Sequence, residues 1–426
     1  MSPLLHFRLI LLYFLEFAVW GSYLVSFGNY LSQVGLGKEI FWFYTIPGLL
    51  TVIMPTFMGL LADRILAAQR LYSFCHLISS LSKMGAVGYC LFSPGIDFLP
   101  LFILFSIGVA FFMPTISLTN SITFTILSQN NLPTYKYFPK IRIFGTLGFI
   151  CSMLLVNFIR LDGIQLQASP LQLLLSASIS AILFIYGFTL PECPTKISGV
   201  NLFKKSGWKA FRILKDNSVT TFLIFSFLIG ICLQITNSYA NPFISFFQNI
   251  PEFSKTWGAK NANALISLSQ ISETLFILVI PFVYRKLGIK NVLIVSSIAW
   301  GLRYFMFSVG NTGDGIIFLI ISMVVYGVAF DFFNIAGSIF IDEKVGENLR
   351  NSAQGLFMLV TGGLGASLGT PLAGLVVNHF VFSCEDFNMR MQGWYTSWGI
   401  FAAYSVIIGI LCLLFFPRTS KQSSKV

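Results

Sequence analysis

The chain has 426 residues and a mean hydropathy of +0.79, with 55% hydrophobic and only 10% charged residues. Soluble domains carry about 25% charged residues, and a soluble fold of this size lacks the polar cover that so much apolar surface would need. That excludes a soluble enzyme or binding domain, and the +11 formal charge does not point to nucleic acid, because the Lys and Arg are scattered between apolar segments as in loops facing an anionic leaflet.

At roughly 20 apolar residues per span the chain has room for about twelve membrane helices. Apolar segments fall at about 7–32, 40–62, 71–93, 98–125, 141–160 and 170–190, and then at about 218–245, 261–284, 289–309, 315–341, 351–379 and 392–417. The first follows Arg8, is longer than a signal-peptide core of about 7–15 residues and lacks an A-x-A site, so it reads as an uncleaved span. A basic linker at 191–217 divides the two sets; it opens with Pro191 and Pro194 and carries Lys196, Lys204, Lys205, Lys209, Arg212 and Lys215. The expected domains are therefore a six-helix bundle over 1–190, the cytoplasmic linker, and a second bundle over 218–426 with a short tail. With the N-terminus inside, nineteen Lys and Arg fall on the inner side and five (Lys38, Arg160, Lys255, Lys260, Arg390) on the outer, which places both termini in the cytoplasm.

The halves echo each other. Gly108-Val-Ala-Phe-Phe112 in the fourth span returns as Gly327-Val-Ala-Phe330 in the tenth, 219 positions on, and Gly145-Thr-Leu-Gly148 in the fifth returns as Gly362-Gly-Leu-Gly365 in the eleventh, 217 on. The expected fold is an all-α membrane protein of twelve transmembrane helices in two pseudo-symmetric six-helix bundles.

Charged groups inside spans are expensive and mark function by default. Here they are Glu16, Lys83, Arg142, Glu273, Arg303 and Asp331. For Lys83 and Arg303 a side chain that snorkels to a span end is an equal alternative. Four sets share a helical face: Arg142, Thr146 and Phe149; Gln234 and Asn237; Gln270 and Glu273; Tyr326 and Phe330, with Asp331 adjacent. Each alone also fits a bond between membrane helices. Together they offer amide donors and acceptors, carboxylates, a guanidinium and aromatic faces, which suit a small, multiply hydrogen-bonding solute with a flat ring. A buried carboxylate has a second use, since burial penalises its charged form and lets it take up and release a proton.

Gly59-Leu-Leu-Ala-Asp63-Arg64 lies between spans two and three, where an Asp63–Arg64 pair would latch an inner gate. The seven cysteines, Cys75, Cys90, Cys151, Cys193, Cys232, Cys384 and Cys412, show no CxxC or His-rich spacing, so no disulfide framework, metal or cofactor is expected. His6, His76 and His379 are far apart, no HExxH or G-x-S-x-G element occurs, and the loops hold no signalling domain, which leaves an enzyme or a receptor as remote alternatives.

The G-x-x-A-D-R segment resembles the loop motif of the major facilitator superfamily, whose architecture is six plus six helices around a central site. Phe138-Pro-Lys-Ile-Arg-Ile-Phe-Gly-Thr-Leu-Gly-Phe149, Leu233-Gln-Ile-Thr-Asn237, Ser269-Gln-Ile-Ser-Glu-Thr-Leu-Phe-Ile277 and Tyr326-Gly-Val-Ala-Phe-Asp-Phe-Phe-Asn334 resemble its nucleoside:proton symporter family, the bacterial nucleoside permeases, from about Phe14 to Phe416. The resemblance implies proton-driven nucleoside uptake by alternating access at the cytoplasmic membrane of a bacterium, with a monomer sufficient. It also implies a nucleoside site lined by Arg142, Thr146, Phe149, Gln234, Asn237, Gln270, Glu273, Tyr326, Phe330 and Asp331. Asp331 and Glu273 are the candidates for proton coupling. Glu16 is a third, and a departure, since relatives carry Gln there; the linker and the outer loop near Cys384 also match the pattern poorly. Within transport, a carrier of sugars or another small polar solute is the competing reading.

Overall fold

Hydrocarbon offers no hydrogen bonds, so each span must satisfy its backbone internally, and an apolar chain of this kind folds as helices. The structure, a computed structural model, describes residues 3–64, 66–193, 216–276, 279–344 and 350–417; most of the basic linker lies outside these, as do the side chains of Asp63 and Arg64. The main helices are α1 (Pro3–Gly21), α2 (Phe27–Gln33), α3 (Ile40–Arg64), α4 (Ala68–Phe92), α5 (Phe98–Gln129), α6 (Thr134–Phe158) and α7 (Leu171–Thr189). They continue as α8 (Asn217–Phe246), the single turn α9 (Trp257–Lys260), α10 (Ala262–Phe276), α11 (Ile280–Val309), α12 (Ile316–Lys344), α13 (Arg350–Met358), α14 (Gly365–Val377) and α15 (Phe387–Phe415). Each of the twelve apolar segments corresponds to helix. Among the described residues nine stretches are long and apolar enough to cross a membrane by themselves; α4 is more polar, with Lys83 and a run of serines, and the described part of its counterpart α10 has 15 residues.

Three segments depart from single straight helices. The first breaks between α1 and α2, and the Tyr44 hydroxyl takes up the freed backbone groups: it accepts from the Gly28 N–H at 3.1 Å and donates to the Leu24 carbonyl at 2.7 Å. α11 starts earlier than its apolar run and bends at Gly288, whose φ of 72° lies in the left-handed region open to glycine. The eleventh segment is interrupted by a π-helical turn, Leu359–Leu364, between α13 and α14. A short hairpin, Arg160–Leu161 with Ile164–Gln165, turns through Asp162 and Gly163, both at positive φ, as a tight two-residue loop requires.

The chain forms two compact units. The first holds α1–α7 and draws in Asn237–Pro242 and Asn261–Ala264; the second holds the rest of the described chain. In the first, α1 packs along α6, and α4 packs against α5 and α7. In the second, α8 lies against the π turn and α14, and α11 packs against α12 and α15. Span one with five and three with four and six thus recur as seven with eleven and nine with ten and twelve. The glycine repeats explain the first pairing. A Cβ on Gly148 would collide with the Phe14 backbone carbonyl, and one on Gly365 would sit 3.0 Å from the carbonyl carbon of Gly230. The Gly108/Gly327 echo does not carry through to contacts, because Gly108 faces Lys83 on α4 and Gly327 faces Ser272 on α10. Large apolar side chains such as Phe92, Phe282 and Leu414 are exposed, which a membrane protein tolerates because lipid is as apolar as they are.

Gly148→Val should therefore force α1 from α6 and destabilise the protein by roughly 1–3 kcal/mol. Gly88→Ala, where an added Cβ would meet nothing within 4 Å beyond its own stretch of helix, should not lower the melting temperature in detergent.

Candidate functional site

In the first unit, α6 presents Arg142, Thr146 and Phe149 on one face, as their spacing predicts. The Arg142 guanidinium carbon lies 4.1 Å from the centroid of the Phe17 ring, a cation–π contact that holds the charge against α1. Phe149 is buried and meets Trp20 edge-on at 6.4 Å. Thr146 is half-buried. Tyr13, Phe17 and Trp20 form an aromatic row along α1, with Tyr13 donating to the Asn120 side-chain oxygen at 2.6 Å. Asn237, half-buried on α8, groups with this unit, while Gln234, one turn earlier, groups with the second.

In the second unit, α10 and α12 bring five of the predicted residues together. Tyr326 and Phe330 stack at 5.7 Å with their planes 20° apart. The Gln270 side chain interacts with the Tyr326 hydroxyl, and Glu273 and Asp331 lie within electrostatic reach of it and of each other. Asp331 is 2% exposed, and its Oδ2 has no hydrogen-bond partner among the described residues. Gln270 and Glu273 are half-buried.

Arg303 and Lys83 do not snorkel, since both are fully buried. The Arg303 guanidinium donates to the Ser322 carbonyl at 2.6 Å and to Ser269 Oγ at 3.3 Å, and its carbon lies 4.9 Å from the Tyr326 ring centroid and 5.2 Å from that of Phe307. It thus backs the ring that Phe330 stacks on, a role that Arg303 within an apolar helix did not announce; spacing on α11 alone contains no trace of Tyr326. Lys83 Nζ donates to Ser176 Oγ at 2.9 Å and faces the rings of Phe112 and Tyr23 at 4.8 and 5.0 Å. The two cations stand 220 positions apart, in register with the internal repeat.

Glu16 is also fully buried. It accepts from the Tyr72 hydroxyl at 2.7 Å, its Oε2 lies 3.0 Å from His76 Nε2, and its Oε1 lies 2.7 Å from Thr115 Oγ1. These partners come from α4 and α5. The one sequence signal was Tyr72 and His76 at i, i+4 on a membrane helix. The predicted gate pair, Asp63 and Arg64, lies outside the described side chains. Among the described residues no group of His, Cys, Asp and Glu has the geometry to hold a metal ion.

The sequence model of the nucleoside H+ symporter family matches residues 4–421. The chain is 37% identical to a xanthosine permease of Escherichia coli K12 over 409 residues, 95% of this chain and 94% of the relative. It is 38% identical to the nucleoside permease NupG of the same organism over 417 residues, 97% and 96% of the two. The crystal structure of the nucleoside transporter NupG superposes with a TM-score of 0.86 at 36% identity, covering 98% of this chain and all of that one. A bacterial homologue of the human lysosomal transporter Spinster, at 14% identity and a TM-score of 0.73, covers 97% of each chain and shares the fold. Twelve helical segments in two units of repeated helix pairing, and likeness over nearly the whole length to permeases, make this chain a major facilitator transporter rather than an enzyme, and it belongs to the nucleoside:proton symporter family.

Proposed function

We propose that the protein takes up nucleosides together with protons, by alternating access, across the cytoplasmic membrane of a bacterium. Both termini are cytoplasmic in this reading, which follows from the Lys/Arg asymmetry. Six-helix halves over 1–190 and 218–426 are joined by the basic linker at 191–217, and a monomer suffices. The observation that carries the reading is the cluster on α10 and α12, where a stacked Tyr326–Phe330 pair adjoins Gln270, Glu273 and Asp331.

The chemistry fits the cargo. An aromatic pair offers a face to a flat base, and stacking against an aromatic ring is worth about 1–3 kcal/mol per base in nucleic-acid complexes. Amide side chains donate and accept at once, so Gln270, Gln234 and Asn237 match the edge of a nucleobase. A carboxylate accepts from the vicinal hydroxyls of a ribose, which suits Glu273. Arg142, Thr146 and Phe149 add donors and a further ring. Asp331 and Glu273 are the leading proton carriers: in electrostatic reach of one another, each senses the charge of its neighbour, so proton binding and solute binding are linked. Asp63 and Arg64 are the residues for an inner latch.

Purified protein in liposomes should accumulate radiolabelled uridine when an inward proton gradient is imposed and should not without it; no gradient-driven accumulation of any nucleoside would refute the reading. Excess unlabelled nucleosides should compete and free ribose or oligosaccharides should not, whereas competition by sugars would favour a sugar carrier. Glu273→Gln and Asn237→Ala should each abolish uptake while the protein stays in the membrane, and normal uptake by both would remove them from the site. Arg303→Lys keeps the charge but loses the planar fork behind Tyr326. It should weaken uridine binding about tenfold, or ~1.4 kcal/mol, as read by calorimetry on purified protein.

A further inference from the structure

The first unit holds a second acid whose surroundings are unlike those of Asp331. Glu16 and His76 are fully buried, on α1 and α4, with 3.0 Å between Glu16 Oε2 and His76 Nε2. Tyr72 donates to the same oxygen at 2.7 Å. The other imidazole nitrogen, His76 Nδ1, has no hydrogen-bond partner among the described residues. A proton there would be a buried donor without an acceptor, which is costly. The imidazole is therefore best satisfied as the neutral tautomer that donates from Nε2 to Glu16.

The remaining oxygen of Glu16 poses a question of proton number. Oε1 lies 2.7 Å from Thr115 Oγ1, and that same Oγ1 lies 2.6 Å from the Phe112 carbonyl oxygen. Thr115 has a single hydroxyl proton, and a carbonyl can only accept. If Thr115 donates to Phe112, the contact with Oε1 is a hydrogen bond only when Oε1 carries a proton and donates it to Oγ1. If Thr115 donates to Oε1 instead, Glu16 is ionised and the Phe112 carbonyl gives up that partner. One rotation of one hydroxyl thus accommodates both protonation states without moving a helix.

Other charged and titratable groups face this site from α1, α4, α6 and α7. Lys83, on α4, compensates the ionised form; when Glu16 is neutral, Lys83 keeps its bond to Ser176 and the rings of Phe112 and Tyr23. Arg142 on α6 and Tyr13 on α1 lie within electrostatic reach of each other, and Tyr13 also senses Glu16. Cys75 on α4 senses Glu16 as well, and Tyr186 on α7 lies within electrostatic reach of Tyr72.

We propose that Glu16, with His76, Tyr72 and Thr115, forms a proton-binding site in the first unit, apart from the Asp331–Glu273 pair, and that its proton is taken up and released in each transport cycle. The step is an addition of H⁺ from the aqueous side to Glu16 Oε1, with the Thr115 hydroxyl turning from Oε1 to the Phe112 carbonyl; its reverse delivers H⁺ to the other side. Only the coupling to transport rests on the symport reading above, and the site itself can be tested without it.

Glu16→Gln is the informative variant, because a carboxamide accepts at one atom and donates at the other and so copies the protonated acid. In liposomes carrying an internal pH dye, uridine-driven proton entry should fall by one proton per uridine relative to wild type. Infrared difference spectra of reconstituted protein, taken between high and low pH without substrate, should lose a protonated-carboxyl component in Glu16→Gln. The same component should shift in His76→Gln, a change that a purely structural Glu16 would not produce. An active Glu16→Gln with an unchanged proton-to-uridine ratio overturns the proposal. Carboxyl spectra that superimpose for wild type and Glu16→Gln overturn it too, and they do so even if the variant transports nothing. If wild type moves no nucleoside, the functional reading fails while the infrared comparison still decides the site.

Discussion

A polar group in the hydrocarbon core must be answered by the chain itself, because an unsatisfied one costs several kcal/mol there. Much of this structure follows from that constraint. Where the first span breaks between α1 and α2, a single phenol, Tyr44, serves a donor on one side of the break and an acceptor on the other. Hydroxyls within helices turn back to their own carbonyls, as Ser226 does to Phe222 and Ser297 to Leu293. The two buried cations are each held by a hydroxyl and a pair of aromatic rings.

The same constraint explains why the two units agree in packing and differ in chemistry. Close approach of helices needs small residues, and Gly148 and Gly365 supply them at equivalent pairings. The cation at equivalent positions is Lys in one unit and Arg in the other. An ammonium is a compact point charge, and Lys83 rests on Ser176 in electrostatic reach of Glu16. A guanidinium is a flat fork, and Arg303 spends it on Ser322, Ser269 and the face of Tyr326. The repeat thus ties one cation to an acid and the other to an aromatic stack.

Hydropathy made all twelve segments legible, because a lipid-spanning helix advertises itself in composition alone. The interruptions were not legible in the same way. The break after Gly21 depends on Tyr44, and the π turn at Leu359–Leu364 sits where Gly230 meets Thr361; both partners are distant in sequence. Helical spacing correctly placed Arg142, Thr146 and Phe149 on one face. It was silent on Gln270 reaching Tyr326, since that contact joins two helices. Lys83 and Arg303 were ambiguous for a physical reason: a long cationic side chain near the middle of an apolar run reads the same whether it reaches the interface or a buried partner. Glu16 stood out as an acid in the first span, but its partners sit on α4 and α5, and nothing local joins them.

The two buried acids are satisfied in opposite ways, and that difference bears on the work proposed for each. Asp331 keeps an oxygen with no partner among the described residues, beside a second carboxylate and an aromatic pair. In the proposed symport, such an atom is the one that an arriving proton or solute hydroxyl would complete. Glu16 has partners on both oxygens already, from Tyr72, His76 and Thr115. Nothing needs to arrive for it to be satisfied, and a change in its charge is absorbed by a hydroxyl rotation. An acid of the first kind suits a binding site; an acid of the second kind suits a store of charge that the binding site need not touch. At Glu16 the hydrogen-bond pattern of the protonated acid is the pattern that a Gln would make, so this titratable group sits where its neutral form is already accommodated.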